Sequence, residues 1–106
     1  MKTKPQFIAK LKYKTAETGG RKTPANSGYR PQIQFGFTDK QTSGSQKFLD
    51  KEKVNPGETV TAEISVLTPQ LFENKLDVGM NFQFLEDFTI IGFGSVLDIL
   101  DKTLEK

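Results

Sequence analysis

The 106-residue chain contains no cysteine, no histidine and no tryptophan. Without cysteine there is no disulfide, no thiolate metal site and no redox couple, so the fold must rest on its core. Without histidine the commonest general base is missing, and with cysteine gone the strongest side-chain nucleophile is missing too. No stretch approaches the length of a membrane span. The residues from Met1 to Phe7 carry basic side chains but no apolar segment of the kind that marks a secretory signal. A soluble protein bound to no membrane is expected.

What is present is globular in character: 35% hydrophobic and 26% charged residues, with nine phenylalanines, at the size of a single domain. Net charge is +2 but unevenly spread. Residues 1–30 hold eight Lys or Arg against Glu17 alone, a net +7, whereas residues 71–106 hold three against seven acids, a net −4. A basic segment of this kind attracts phosphate backbones or acidic protein faces. The plainer reading is solvated lysines on the outside of a sheet, whose neighbours in space come from distant parts of the chain.

Alternation is the dominant pattern. Phe7, Ala9, Leu11 and Tyr13 alternate with Ile8, Lys10, Lys12 and Lys14, the period of two expected for a strand with one face inward. The stretch 15–28 then fills with Thr, Gly, Pro, Asn and Ser and reads as a long loop. Ile33, Phe35 and Phe37 predict a second strand started by Pro31. Residues 38–45 read as a polar turn region and 46–49 as a weak strand. Asn55-Pro56-Gly57 supplies a turn before the clearest strand, where Val60, Ala62, Ile64 and Val66 share one face. Val78, Met80, Phe82 and Phe84 predict another inward face, and Glu86-Asp87 a tight hairpin into a last run ending at Ile99. Gly92 and Gly94 leave room in that run for close approach, and 101–106 is expected to fray as a tail. Some six short strands and almost no helix predict an all-β barrel or sandwich.

Enzyme signatures fail one by one. Gly20-Arg21-Lys22-Thr23 lacks the glycine that must precede the lysine of a phosphate-binding loop, and Leu97 stands where a dinucleotide fingerprint starting at Gly92 needs its third glycine. Asp98, Asp101 and Glu105 lie together near the terminal tail with no cleft to serve. No enzyme activity, catalytic residue, metal, cofactor or nucleotide is expected.

Gly19-Gly20-Arg21-Lys22-Thr23-Pro24, then Gly28-Tyr29-Arg30-Pro31-Gln32 and Phe35, form a compound motif. Thr38-Asp39 before Thr42-Ser43-Gly44, Val54 and Pro56-Gly57 before the Thr59–Leu67 segment, Pro69, and Phe82 through Gly92 and Gly94 follow in order. Over residues 7–100 this resembles the third, C-terminal domain of bacterial elongation factor Tu. The resemblance implies one domain over 1–106, folded as a six-stranded antiparallel closed β-barrel in a bacterial cytoplasmic setting. It further implies aminoacyl-tRNA or a translation-factor protein as partner, with Gln32, Thr42 and Glu86 as the residues that approach RNA. Such groups bond 2′-hydroxyls and base edges in the shallow groove of A-form RNA. Arg21, Lys22, Tyr29 and Arg30 stand as a basic and aromatic loop patch.

Two departures qualify those implications. Ala25 and Asn26 replace aromatic residues of the family, and the hairpin from Leu85 to Gly92 lacks both of its arginines and both hairpin glycines. Nothing in the chain corresponds to the nucleotide-binding domain. A noncatalytic module for tRNA or a translation factor is therefore one expectation. A stand-alone protein-interaction domain, such as an immunity or decoy protein, is the other. Read from the residues alone, Gln32 and Thr42 are ordinary strand and turn residues, Glu86 is a solvated hairpin tip, and Tyr29 packs on the barrel rim while Arg30 pairs with a carboxylate.

Overall fold

The structure, a computed structural model, describes residues 4–106; Lys2, one of the basic residues of the N-terminal stretch discussed above, lies outside them. Among the described residues eight strands run in chain order as β1 (Phe7–Tyr13), β2 (Ala25–Asn26), β3 (Gln32–Phe35), β4 (Thr42–Phe48), β5 (Lys53–Val54), β6 (Thr59–Val66), β7 (Asn81–Glu86) and β8 (Thr89–Ile99). Six of them close into a barrel in the order β1-β6-β4-β3-β7-β8, with β8 returning to β1 and every pairing antiparallel. The remaining two, β2 and β5, pair as a small separate ribbon that buries Ala25 and Val54. Closure leaves the six strands no free edge.

The inward face follows the alternation. On β1 and β6, all eight inward positions are apolar and buried. Phe7 and Phe82 meet edge to face at 5.7 Å, and Phe35 lies 5.0 Å from both Phe82 and Phe72, so one end of the barrel is filled by aromatic rings. Tyr13 and Phe84, 4.9 Å apart, fill the other end. Bulges at Ile8/Ala9 against β8 and at Phe84/Leu85 against β8 bend the long β8 around the barrel. The turn before β6 forms as expected: Glu58 N–H donates to the Asn55 carbonyl at 3.0 Å, and Gly57 takes φ +87°, which the residue after Pro56 needs in a type II turn. The Asn55 backbone N–H donates in turn to the Glu58 carboxylate and lowers its pKa.

Four expectations are corrected. The residues read as a polar turn and weak strand form the seven-residue β4, whose inward positions are Thr42, Gly44, Gln46 and Phe48. Phe37 lies beyond the end of β3, stacked on Phe35 rather than pointing into the barrel. Val78 is 63% exposed, because Gly79 at φ +90° breaks the alternation before β7 begins. The C-terminal residues do not fray: a 3-10 turn at Lys102–Leu104 carries Leu104 into the core, and Leu76 pairs with Glu105 in a parallel bridge.

Candidate functional site

One end of the barrel holds a polar cluster assembled from distant segments. Arg21 comes from the loop after β1, Tyr29 from the residues before β3, and Glu86 from the end of β7. The Arg21 guanidinium donates through Nη1 to Glu86 Oε2, and the Tyr29 hydroxyl donates to that same oxygen. The guanidinium carbon sits 4.6 Å from the centre of the Tyr29 ring, a stacking that only arginine's flat cation achieves so well. Arg21 also donates to the Thr23 carbonyl at 3.3 Å and the Pro24 carbonyl at 3.4 Å, and so folds its own loop back on itself. The Thr23-Pro24 segment is thereby tied to the hairpin between β7 and β8.

Behind this cluster, inside the barrel, the Tyr13 hydroxyl donates to Gln46 Oε1. Gln46 is fully buried and its Nε2 has no hydrogen-bond partner among the described residues. Burial, with Tyr29 nearby adding to it, pushes the Tyr13 phenol far above its ordinary pKa against the opposing charge of Arg21. Burial and the hydrogen bond to Glu86 do the same for Tyr29. Burial works against the Arg21 charge, but its bonds to Tyr29 and Glu86 outweigh that and raise its pKa. Both phenols therefore stay neutral donors and the guanidinium stays charged. Their hydrogen bonds and stacking tie the loop after β1 to the end of β7.

The buried pair carries a measurable consequence. Tyr13→Phe leaves the Gln46 amide unsatisfied at both ends and is expected to cost about 1–3 kcal/mol, whereas adding Gln46→Met removes both polar groups and should recover most of that loss. Urea unfolding of the two single variants and the double variant provides the cycle, and a double variant no more stable than Tyr13→Phe would contradict it.

The sequence-derived candidates are thus distributed unevenly. Arg21, Tyr29 and Glu86 converge, but on one another: Glu86 is engaged rather than a solvated tip, and the pairing of Arg30 with a carboxylate is not seen among the described residues. Lys22 and Arg30 are exposed and outside the cluster. Thr42 is buried on the inner face of β4, where its hydroxyl accepts from Thr68 N–H at 3.0 Å, so it is not a turn residue and offers nothing outward. Gln32 faces outward at the start of β3, opposite Ser43 and Leu85. One residue of the basic N-terminal segment, Arg21, is thus paired with one of the acidic C-terminal segment, Glu86.

Sequence reasoning missed the outward aromatic residues. Phe88, at the two-residue tip Asp87-Phe88 of the β7–β8 hairpin, is 92% exposed, and Phe93 is 47% exposed on the outer face of β8. The alternation that turns Gly92 and Gly94 inward also turns Phe93 outward, so that signal was present. Asp87, at φ +53°, takes the left-handed conformation that lets the hairpin reverse in two residues. Among the described residues no helix is long and apolar enough to cross a membrane, and no group of three or more acidic side chains could hold a metal ion. No family model matches the chain.

Proposed function

We propose that this domain is a noncatalytic binding module that engages a protein of the translation apparatus through the tip of its β7–β8 hairpin. The observation that carries the reading is Phe88, a large apolar side chain held almost wholly in solvent on a two-residue turn. The Arg21–Glu86–Tyr29 cluster braces the base of that turn. An aromatic side chain on a braced turn loses little freedom on docking and is the usual kind of anchor at the centre of a protein interface. Two of the three residues that the elongation-factor resemblance aims at RNA, Thr42 and Glu86, are engaged inside the domain. That favours a protein over aminoacyl-tRNA as the partner.

The test titrates the full chain by calorimetry against elongation factor Tu lacking its own third domain, and separately against bulk tRNA at low and moderate salt. Binding to the protein, weakened at least about tenfold by Phe88→Ser, is the expected result. Binding to tRNA that falls steeply with salt, with none to the protein, would replace this reading with the RNA one.

A further inference from the structure

A second surface lies on the flank of the barrel, toward the aromatic-filled end and away from the Arg21 cluster. A groove of about 710 Å³ runs between the β3–β4 connection and the outer face of β3, β7 and β8. The pairing register sets its floor: Gln34 of β3 stands opposite Gln83 of β7, and Gln83 stands opposite Phe93 of β8. Two residues along the same face of β7, Asn81 adds a third amide, and the loop after β3 brings Phe37 and Asp39 to the other wall.

We propose that this groove is a binding site for a neutral oligosaccharide. It presents two partly exposed aromatic rings, Phe37 at 39% and Phe93 at 47%, together with three primary amides and one carboxylate. No lysine or arginine lines it. The nearest cation by register, Lys12 opposite Phe93, sends its ammonium to the Gly57 carbonyl at 3.0 Å.

Each class of occupant can be weighed against that lining. A phosphate-bearing ligand would meet Asp39 and no cation. An apolar segment would cover Asn81, Gln83 and Asp39 without bonding them, leaving each of those polar groups unpaired. A sugar ring matches both halves of the surface. Its C–H face packs on an aromatic ring, and each amide offers a donor and an acceptor side by side for neighbouring hydroxyls, while the carboxylate accepts from two. The volume lies within the ordinary range for ligand sites, about 300–1,000 Å³.

The groove is also preformed. The Phe37 ring stacks on Phe35 at 5.5 Å and meets Phe72 edge to face at 6.1 Å, which fixes it with one face turned out of the core. Gln34 Nε2 donates to the Thr38 carbonyl at 3.4 Å and its Oε1 accepts from Gln41 Nε2 at 3.3 Å. These long bonds orient the amide and are easily exchanged for bonds to a ligand. Phe93, Gln83 and Asn81 sit on hydrogen-bonded barrel strands.

The test is a titration of the ¹⁵N-labelled full chain with cellohexaose, maltohexaose and chitohexaose, followed by amide NMR, with hexauridylate as the anionic comparison. Saturable shifts at the Gln34 and Gln83 side-chain amides with at least one neutral hexasaccharide, at a dissociation constant on the order of 1 mM, are expected. Phe93→Ala, whose side chain lies outside the core, should retain the dispersed spectrum of the folded barrel and weaken binding about tenfold. Absence of saturable shifts with all three sugars would overturn the proposal. So would shifts that Phe93→Ala leaves unchanged, or hexauridylate binding the groove more tightly than any of the sugars.

Discussion

Gly92→Ala will lower the free energy of unfolding by about 3 kcal/mol or more, at the upper end of what overpacking a core costs. Gly94→Ala will lower it by about 1–3 kcal/mol. The register places Phe84 opposite Gly92 and Phe82 opposite Gly94, and each ring folds over its glycine. A Cβ at Gly92 would stand 2.1 Å from Cζ of Phe84 and 2.7 Å from the Lys12 carbonyl oxygen; one at Gly94 would stand 2.3 Å from Cζ of Phe82. At Gly94 the obstacle is a ring alone. At Gly92 it includes the backbone of β1, which can retreat only by opening the β1–β8 ladder. Phe84 has nowhere to go either, being fully buried against Tyr13.

The sign of the effect is itself diagnostic. Neither glycine takes a positive φ, so in open space alanine would stabilise by about 0.4–1 kcal/mol through the unfolded chain. Urea unfolding with an unchanged m-value measures the difference, and Phe82→Leu should rescue part of the Gly94→Ala loss by withdrawing the ring. Stabilisation by either alanine would mean that the rings do not lie over these positions. Set against a total stability of about 5–15 kcal/mol, the loss at Gly92 should lower the melting temperature by on the order of 15 °C.

Residue alternation made some strands plain and hid others, for a reason visible in β4. The inward positions of β1 and β6 are all apolar, so periodicity alone places them. The inward positions of β4 are Thr42, Gly44, Gln46 and Phe48, each with a specific tertiary reason. Thr42 bonds the Thr68 backbone and Gln46 takes the Tyr13 hydroxyl. Gly44 makes room for Ile33, whose Cδ1 would lie 2.1 Å from a Cβ there. None of those partners is a neighbour in sequence, so a polar turn was the natural reading of the same residues.

The polar cluster was legible in its parts and not in its wiring. Arg21, Tyr29 and Glu86 stood out through the elongation-factor resemblance, but the pairs lie 65 and 57 residues apart, and only barrel closure brings them together. The resemblance aimed Glu86 outward at RNA; the structure spends it on Arg21 and Tyr29. The Gln34–Gln83–Phe93 row is a property of register across three strands, and register is set by bulges that a single sequence does not announce.

The C-terminal residues, expected to fray, give the second large effect. Leu104→Ala should cost about 2–5 kcal/mol, the range for truncating a buried leucine, because Leu104 is only 2% exposed and belongs to the same core as Phe72 and Leu76. Its backbone is as firmly placed as its side chain. The Leu104 carbonyl accepts from Lys75 N–H at 2.9 Å and Leu76 N–H at 2.8 Å, and Lys106 N–H returns a bond to the Leu76 carbonyl at 2.9 Å. Asp101 caps the turn by accepting from Thr103 N–H at 3.1 Å, and its own N–H donates to the Gln6 carbonyl at 3.0 Å, beside the start of β1. The sequence shows only one apolar residue among six here, too few for periodicity to detect. A single leucine still suffices when the segment between β6 and β7 supplies the backbone partners. Leu97→Ala, on the exposed side of β8, provides the comparison and should change stability by less than about 0.5 kcal/mol. Equal, small effects of the two substitutions, or unprotected amides at Lys75, Leu76 and Lys106 in hydrogen exchange, would show an undocked tail. A large loss at Leu104 alone would make the last six residues a working part of the barrel's closure at the end filled by Phe7, Phe35 and Phe72.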